Sequence, residues 1–190
     1  MTNCLTEYIQ QYCFVPDEDQ AWLDQYFEVL TAREGDSLFG GGKVCNQLFF
    51  VCKGVIRIFS YNDKGMDVTH YFYRENQFCT IIESFDKGTV AGPQIEACCD
   101  TTVLKISKGK LQELYERLPY LKGIIDEAIK SGLFEKIRVR NSYLGQEAEN
   151  QYKLFIKQQP DIALRVPVKD IASFLGITPQ SLSRIRKQMR

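Results

Sequence analysis

The order of apolar and polar positions divides the chain into three textures. Cys4 to Tyr12, and then Asp17 to Leu30, repeat apolar residues at helical spacing. In the second stretch Trp22, Leu23, Tyr26, Phe27 and Leu30 share a face, and Pro16 followed by Asp17 marks a helix start. From Ala32 to Ile106 the period shortens toward two and glycines break the runs. Gln47 to Cys52 reads as a buried strand. Val55 to Ser60 reads as a second, with Val55, Arg57 and Phe59 alternating against Ile56 and Ile58. Asn62-Asp63-Lys64-Gly65 turns the chain into a returning strand, Val68 to Tyr73, because Gly65 tolerates the positive φ of a tight turn. Ile95 to Cys99 and Thr102 to Ile106 are expected to close the region as a final pair around Asp100. Short strands punctuated in this way predict a β-sandwich or roll.

The third texture is helical again. Ser107 suits the N-cap of a helix carrying Leu111, Leu114, Tyr115 and Leu118. Pro119 opens a longer helix whose apolar residues include Leu121, Ile124, Ile125, Ala128, Ile129, Leu133 and Ile137. That stripe is too broad for one seam, so one side is expected on the roll and the other against a second copy of the chain. Asn141 to Gly145 reads as a hinge. Gln146 to Lys157 reads as a helix with Tyr152, Phe155 and Ile156 inward, stopping at Pro160. Two short helices follow Pro167 and divide at Gly176. The expected class is α+β, with a sensor-like unit at 1–118, a dimerisation helix and hinge at 119–145 and a terminal helical unit at 146–190.

The last of these units has a defined grammar. Ile171 and Leu175 share a face, Ala172 is small enough for a crossing helix, and Gly176 permits a left-handed exit. Ile177 plugs the turn, Thr178 caps the next helix and Pro179 fits its first position. Leu182, Ile185 and Met189 return to the core, completing a helix-turn-helix. The opposite face carries Gln180, Ser183, Arg184 and Lys187. Glutamine can pair with adenine edges and arginine can fork onto guanine in a major groove. Lys169, Thr178, Ser181, Arg186 and Arg190 flank this face, where the helix N-terminus and the cations suit phosphates. No β wing is expected after this helix.

Charge sharpens this reading. The chain has 24 basic and 24 acidic residues. Arg165 to Arg190 holds six basic residues and one acid, a net +5, so Met1 to Leu164 carries 18 − 23 = −5. An acidic body with a basic end presents that end to a polyanion. Double-stranded DNA is therefore the expected partner. No apolar run approaches the roughly 18 residues of a membrane span. Glu7 and polar neighbours stand where a signal peptide needs a basic and then an apolar run, so a cytoplasmic protein is expected.

The pattern Gly35-Asp-Ser-Leu-Phe, then Gly42, then Leu48-Phe-Phe-Val-Cys-Lys-Gly54-Val-Ile-Arg-Ile-Phe59 resembles the β roll of cyclic-nucleotide-binding domains. With the long helix and the terminal helix-turn-helix, the whole chain resembles the Crp/Fnr superfamily of bacterial transcription regulators, and Ile177 to Lys187 is similar to the branch common in Bacteroidetes. The resemblance implies a double-stranded β-helix roll and a winged-helix-like reading domain. It also implies a homodimer paired along the long helix on a pseudo-palindromic operator, with regulation by a ligand or redox signal. RNA polymerase and an unidentified small-molecule effector stand as further candidate partners. The alternative is a small-molecule-sensing module whose DNA contact is weak or lost.

One departure bears on the effector. Relatives that bind cyclic AMP hold its phosphate with a short helix after Gly-Glu and an Arg-Ser or Arg-Thr some ten residues on. Here Thr80 and Ile81 stand at the first position, and the arginine position falls near Ala91, followed by Gly92 and Pro93. Arg74, Lys87 and Glu83 are out of register. Burying a phosphodiester without its cation is costly, which argues against cyclic AMP. The apolar and aromatic set Phe59, Tyr61, Tyr71, Tyr73, Phe78, Ile81 and Ile82 fits equally a closed core or a site for another ligand.

The seven cysteines include no C-x-x-C pair, and His70 is alone, so neither a metal nor an iron–sulfur cluster is expected. The thiols are expected to be reduced and mostly buried. Cys98-Cys99 invites a redox reading, although neighbours on a strand point apart and a structural role is preferred. No Gly-x-Ser-x-Gly and no set of paired carboxylates suggests an enzyme, and Gly40 to Gly42 precede no helix as a phosphate loop would.

Overall fold

The structure is a computed structural model that describes residues 3–189. Helices α1 (Asn3–Ile9) and α2 (Asp17–Tyr26) precede the strands β1 (Glu28–Ala32), β2 (Ser37–Phe39), β3 (Lys43–Val44), β4 (Gln47–Lys53), β5 (Ile56–Tyr61), β6 (Asp67–Tyr73) and β7 (Phe78–Cys79). A short helix α3 (Ile82–Lys87) leads to β8 (Val90–Ala91), β9 (Gln94–Ala97) and β10 (Thr101–Ser107). Then come α4 (Lys108–Arg117), the long α5 (Pro119–Tyr143), α6 (Ala148–Gln158), α7 (Pro160–Arg165), α8 (Val168–Leu175) and α9 (Pro179–Gln188).

The strands build a roll of two antiparallel four-stranded sheets, ordered β1-β10-β4-β7 and β2-β9-β5-β6, with a β3-β8 ribbon. β4 explains the unbroken apolar run at its centre. Phe49 and Val51 point between the sheets, toward Ile56, Tyr71, Ile95 and Val103. Leu48 and Phe50 point outward into a second core made with Leu5, Ile9, Leu23, Leu114, Leu121 and Ile125 of the helices. A strand covered on both faces has no polar side to present. At the end of β4, Gly54 has φ +94° and its N–H donates to Glu75 Oε1 at 2.7 Å. A Cβ there would lie 2.4 Å from Thr101 Oγ1, so no other residue fits.

Several expectations need correction. The second helix does not run to Leu30: it ends at Tyr26, and Leu30 lies in β1 opposite Val103. The β-branched Val29 and Thr31 gain a complete ladder with β10, which outweighs the helical spacing. β9 and β10 do not pair with each other. Ile95 sits opposite Ile58 in one sheet and Leu104 opposite Phe50 in the other, so the turn at Asp100 carries the chain between sheets. The cysteines are not all reduced: Cys4 of α1 is bonded to Cys52 of β4, with Cα atoms 5.5 Å apart. α1 lying on β4 creates this pair, which has no local spacing signature. Cys45, Cys79 and Cys98 are buried free thiols, and Cys13 and Cys99 are partly exposed.

Ser107 caps α4 by accepting from the Lys110 N–H, and Pro119 opens α5. α5 buries Leu121 and Ile125 on the helical side of the roll and Val139 and Tyr143 on the terminal helices. Between them Leu133, Phe134 and Ile137 are exposed, at 42%, 61% and 49%. The helix runs through the expected hinge to Tyr143, and the turn falls at Leu144 and Gly145. α6 is followed by an unexpected helix, α7: Pro160 sits at its first turn, where a missing N–H costs nothing, and so starts a helix instead of only ending one. Among the described residues the last strand ends at Ser107.

Candidate nucleic-acid interface

α8 and α9 form the helix-turn-helix from the inside out. Ile171, Ala172, Leu175, Leu182 and Ile185 are buried with Phe155 and Ile162 of the preceding helices. Gly176 takes φ +69°, and Ile177 N–H closes the turn on Ala172 O at 3.0 Å. Thr178 caps α9 by accepting from the Ser181 N–H at 3.1 Å, and its hydroxyl donates to Ser181 Oγ at 2.9 Å. These bonds shape the helix start and do not use the proton of the Ser181 hydroxyl. Gln180, Ser183, Arg184 and Lys187 are exposed on the outer face, Lys169 is exposed on α8, and Arg186 is half-buried beside them. Met189 departs from expectation: it is 38% exposed at the C-cap, where the helix has run past the core. Arg190 lies outside the described residues.

The inner side of α8 is docked on the roll. Its Asp170 is 1% exposed and lies 3.0 Å from Nη1 of Arg57, a residue of β5 that is itself 2% exposed. Arg57 also bonds Asp67 (2.9 Å), Glu96 (3.0 Å) and the Thr69 hydroxyl (2.9 Å). Its guanidinium lies 4.3 Å from the centre of the Phe59 ring. The hydroxyl of Ser173 accepts from the Thr69 N–H at 2.8 Å and donates to the Asp67 carbonyl at 3.0 Å. Phe174 packs against Phe72, Phe155 and Tyr143 with ring centres 5.2, 5.8 and 5.9 Å away. At the far end of the contact Arg165 forks onto both oxygens of Glu75, at 2.5 and 3.0 Å. Sequence reasoning did not single out Arg57 or Asp170. An arginine in an alternating strand looks like a solvent-facing residue, and its partners are far away in the chain.

A second feature lies between the roll and α5, a cleft of about 530 Å3. Of the aromatic and apolar set read from the sequence, Tyr71, Tyr73, Phe78 and Ile82 line it, joined by Tyr8 and Tyr12 of the N-terminal segment. The others do not. Tyr61 is 60% exposed at the hairpin and stacks edge-on with the buried Phe59, while Ile81 heads α3 and packs on the inter-sheet core. Lys136 of α5 enters the cleft and was not anticipated. Its Nζ lies 4.0 Å from the Tyr73 ring centre and 5.0 Å from that of Tyr71, and it donates to the Tyr73 hydroxyl. Burial lowers the Lys136 ammonium to about 8, and burial likewise raises both phenols, so the tyrosines stay neutral. Among the described residues Lys136 has no ion-pair partner, although Glu127 and Glu135 also line the cleft.

The stretch that would cradle a cyclic phosphate keeps its short helix, α3, but not its chemistry. The Thr80 hydroxyl donates to the Gln47 carbonyl at 2.8 Å, and Ala91 is buried in β8. Lys87 is tied to Glu83 at 3.2 Å and Arg74 to Asp161 at 3.3 Å. Cys98 is fully buried against the terminal helices, and burial raises its thiol far above the ordinary range, which makes it inert.

Residues 29–118 match the family model of the cyclic nucleotide-binding domain. The fold of the whole chain is that of the Crp/Fnr regulators. The c-di-GMP-responsive global regulator CLP of Xanthomonas campestris superposes with a TM-score of 0.71 at 14% identity, covering 92% of this chain and 91% of that one. FixK2 from Bradyrhizobium japonicum gives 0.67 at 17% identity, over 86% and 84%. A CRP/FNR-family transcriptional regulator from Thermus thermophilus gives 0.65 at 15% identity, over 85% of each chain. Comparison with curated proteins found no match. Among the described residues no helix is long and apolar enough to cross a membrane.

Proposed function

We propose that this chain is a DNA-binding transcription regulator of the Crp/Fnr type, acting as a homodimer on a pseudo-palindromic operator. The observation that carries the reading is the ridge Gln180, Ser183, Arg184 and Lys187, exposed along one side of a capped helix whose other side is core. In this reading Gln180, Ser183 and Arg184 contact base edges, and Lys169, Ser181, Arg186 and Lys187 contact phosphates. Residues 1–118 sense, 119–145 pair and transmit, and 146–190 read. Leu133, Phe134 and Ile137 are the apolar residues that α5 offers to a second copy. Two α9 helices then enter successive major grooves about 34 Å apart. The protein works in the cytoplasm as a regulator, not an enzyme, and RNA polymerase is a further partner.

Cyclic AMP does not fit the roll, because Ala91 and Thr80 supply no cation for a buried phosphodiester. A different effector has the Lys136 cleft available. That cleft also favours a second reading, a sensing module with weak or lost DNA binding. Recovery of bound genomic fragments, followed by gel shifts on them, tests the first reading. It is overturned by a protein that shows no preference for any recovered fragment over random duplex. A melting-temperature rise with a metabolite panel in such a protein supports the second.

A further inference from the structure

We propose that Arg57, inside the sensor roll, is the positioning residue for the DNA-reading unit: it grips α8 through Asp170 in a buried cluster where one guanidinium faces three carboxylates, so the grip tightens in mildly acidic solution and slackens as the solution nears neutrality. The inference rests on α8 and α9 being the reading unit.

The geometry sets out the roles. Within the roll Arg57 is already served. Nη2 bonds Asp67 and Glu96, Nε bonds Glu96 at 3.2 Å, and Nη1 bonds the Thr69 hydroxyl. Asp170 is the third acid, and α8 brings it in. Its Oδ1 stands 3.0 Å from Nη1 yet receives no aligned N–H, so one guanidinium shared among three acids leaves the ionised Asp170 only partly compensated. The groups facing Asp170 are Arg57 from β5, Asp67 from β6, Glu96 from β9, the Cys98 thiol beyond β9, and Lys169 of its own helix. The nearby carboxylates oppose a further negative charge in a site that water does not reach.

The sign follows from linkage. Burial first, and then Asp67 and Glu96, raise the Asp170 carboxyl to about 6 in the docked form, against the pull of Arg57 and Lys169. Released into water it returns to the ordinary carboxylate value near 3.9. Docking therefore takes up a proton. The Asp170 contribution is complete below the free value and is lost as pH rises through about 6. From about pH 7.5 to about pH 5 docking strengthens roughly tenfold. The other cross-contacts do not titrate in this window: Ser173 and Phe174 are neutral, and Glu75, beside Arg165, is held below the ordinary carboxylate range. The exposed ridge of α9 is untouched by docking, so the grip governs where the ridge points and not whether it is uncovered.

The test uses the full chain without DNA. The Thr69 amide, whose proton bonds Ser173, is followed by NMR from about pH 5 to about pH 8, with His70→Gln in every protein because the neighbouring imidazole, lowered from its ordinary value by burial, would add its own titration. The wild type is expected to show one transition with a midpoint near 6. Asp170→Asn is expected to hold the acid-side position at every pH, and Arg57→Gln to move the midpoint upward, because Arg57 is the group that supports the ionised carboxyl. Should Arg57→Gln unfold the roll, Asp170→Asn alone decides. An Asp170→Asn protein that titrates like the wild type, or an Arg57→Gln protein that keeps the wild-type midpoint, overturns the inference. Gel shifts on recovered fragments are scored separately, so a protein that ignores DNA but keeps the Thr69 transition sinks the regulator reading and not the grip.

Discussion

If α9 reads DNA as proposed, its single side chains divide the work of specificity and affinity. Arg184→Ala is expected to lose about 1–3 kcal/mol of discrimination between operator and random duplex, because a guanidinium forked onto a base edge is read only at the right base. Lys187→Ala is expected to weaken both duplexes alike and lower the slope of log affinity against log salt by about 1. Titrations of both variants against both duplexes at several salt concentrations check the two together, and equal losses on operator and random DNA for Arg184→Ala contradict the specificity claim. Thr178 has a different task. Its hydroxyl caps the helix, so Thr178→Ala is expected to cost about 1 kcal/mol of stability in urea titration. The ridge and its cap were legible residue by residue, since caps and glycine exits are local signals. Arg57, Asp170 and Lys136 were not, because burial and partners from distant strands define them and no local spacing records those.

Whole elements show where sequence patterns inform and where they mislead. β4, β6, α4, α8 and α9 fall where their periodicity places them, and β5 and α5 do so in extent although Arg57 is buried and Leu133 and Ile137 are exposed. β1 was hidden because Phe27 and Leu30 continue the helical spacing of α2, and only β10 alongside decides for strand. α7 was hidden because Pro160 signals an end and a beginning with the same residue. The Cys4–Cys52 bond was hidden for a topological reason, since α1 must first lie on β4. α5 carries the next prediction. Leu133→Glu with Ile137→Glu places two charges in its exposed apolar stripe. Sedimentation equilibrium is expected to show the double variant as a monomer where the wild type is a dimer, with the roll still folded by circular dichroism. A wild type that sediments as a monomer removes the case for pairing along α5.

Across the whole molecule the Cys4–Cys52 bond joins positions 48 residues apart. Chain-entropy reasoning gives it up to about 4 kcal/mol. Cys4→Ser, or a reductant, is expected to lower the melting temperature and to release α1, whose Tyr8 lines the cleft against α5. Thiol titration under denaturing conditions, counting five or seven reactive groups, reports which form is present.

The terminal helices do not finish their own interior. Phe155 and Phe174 close on Phe72 of β6, and Val55 and Cys98 complete the wall. Excised as 146–190, the segment would leave that wall open to solvent, and grafted onto a foreign sensor it would meet the wrong surface. Exchange between such proteins is therefore constrained to move the terminal helices and the β6 face together, and a damaged contact on either side is repaired most readily by a compensating change on the other.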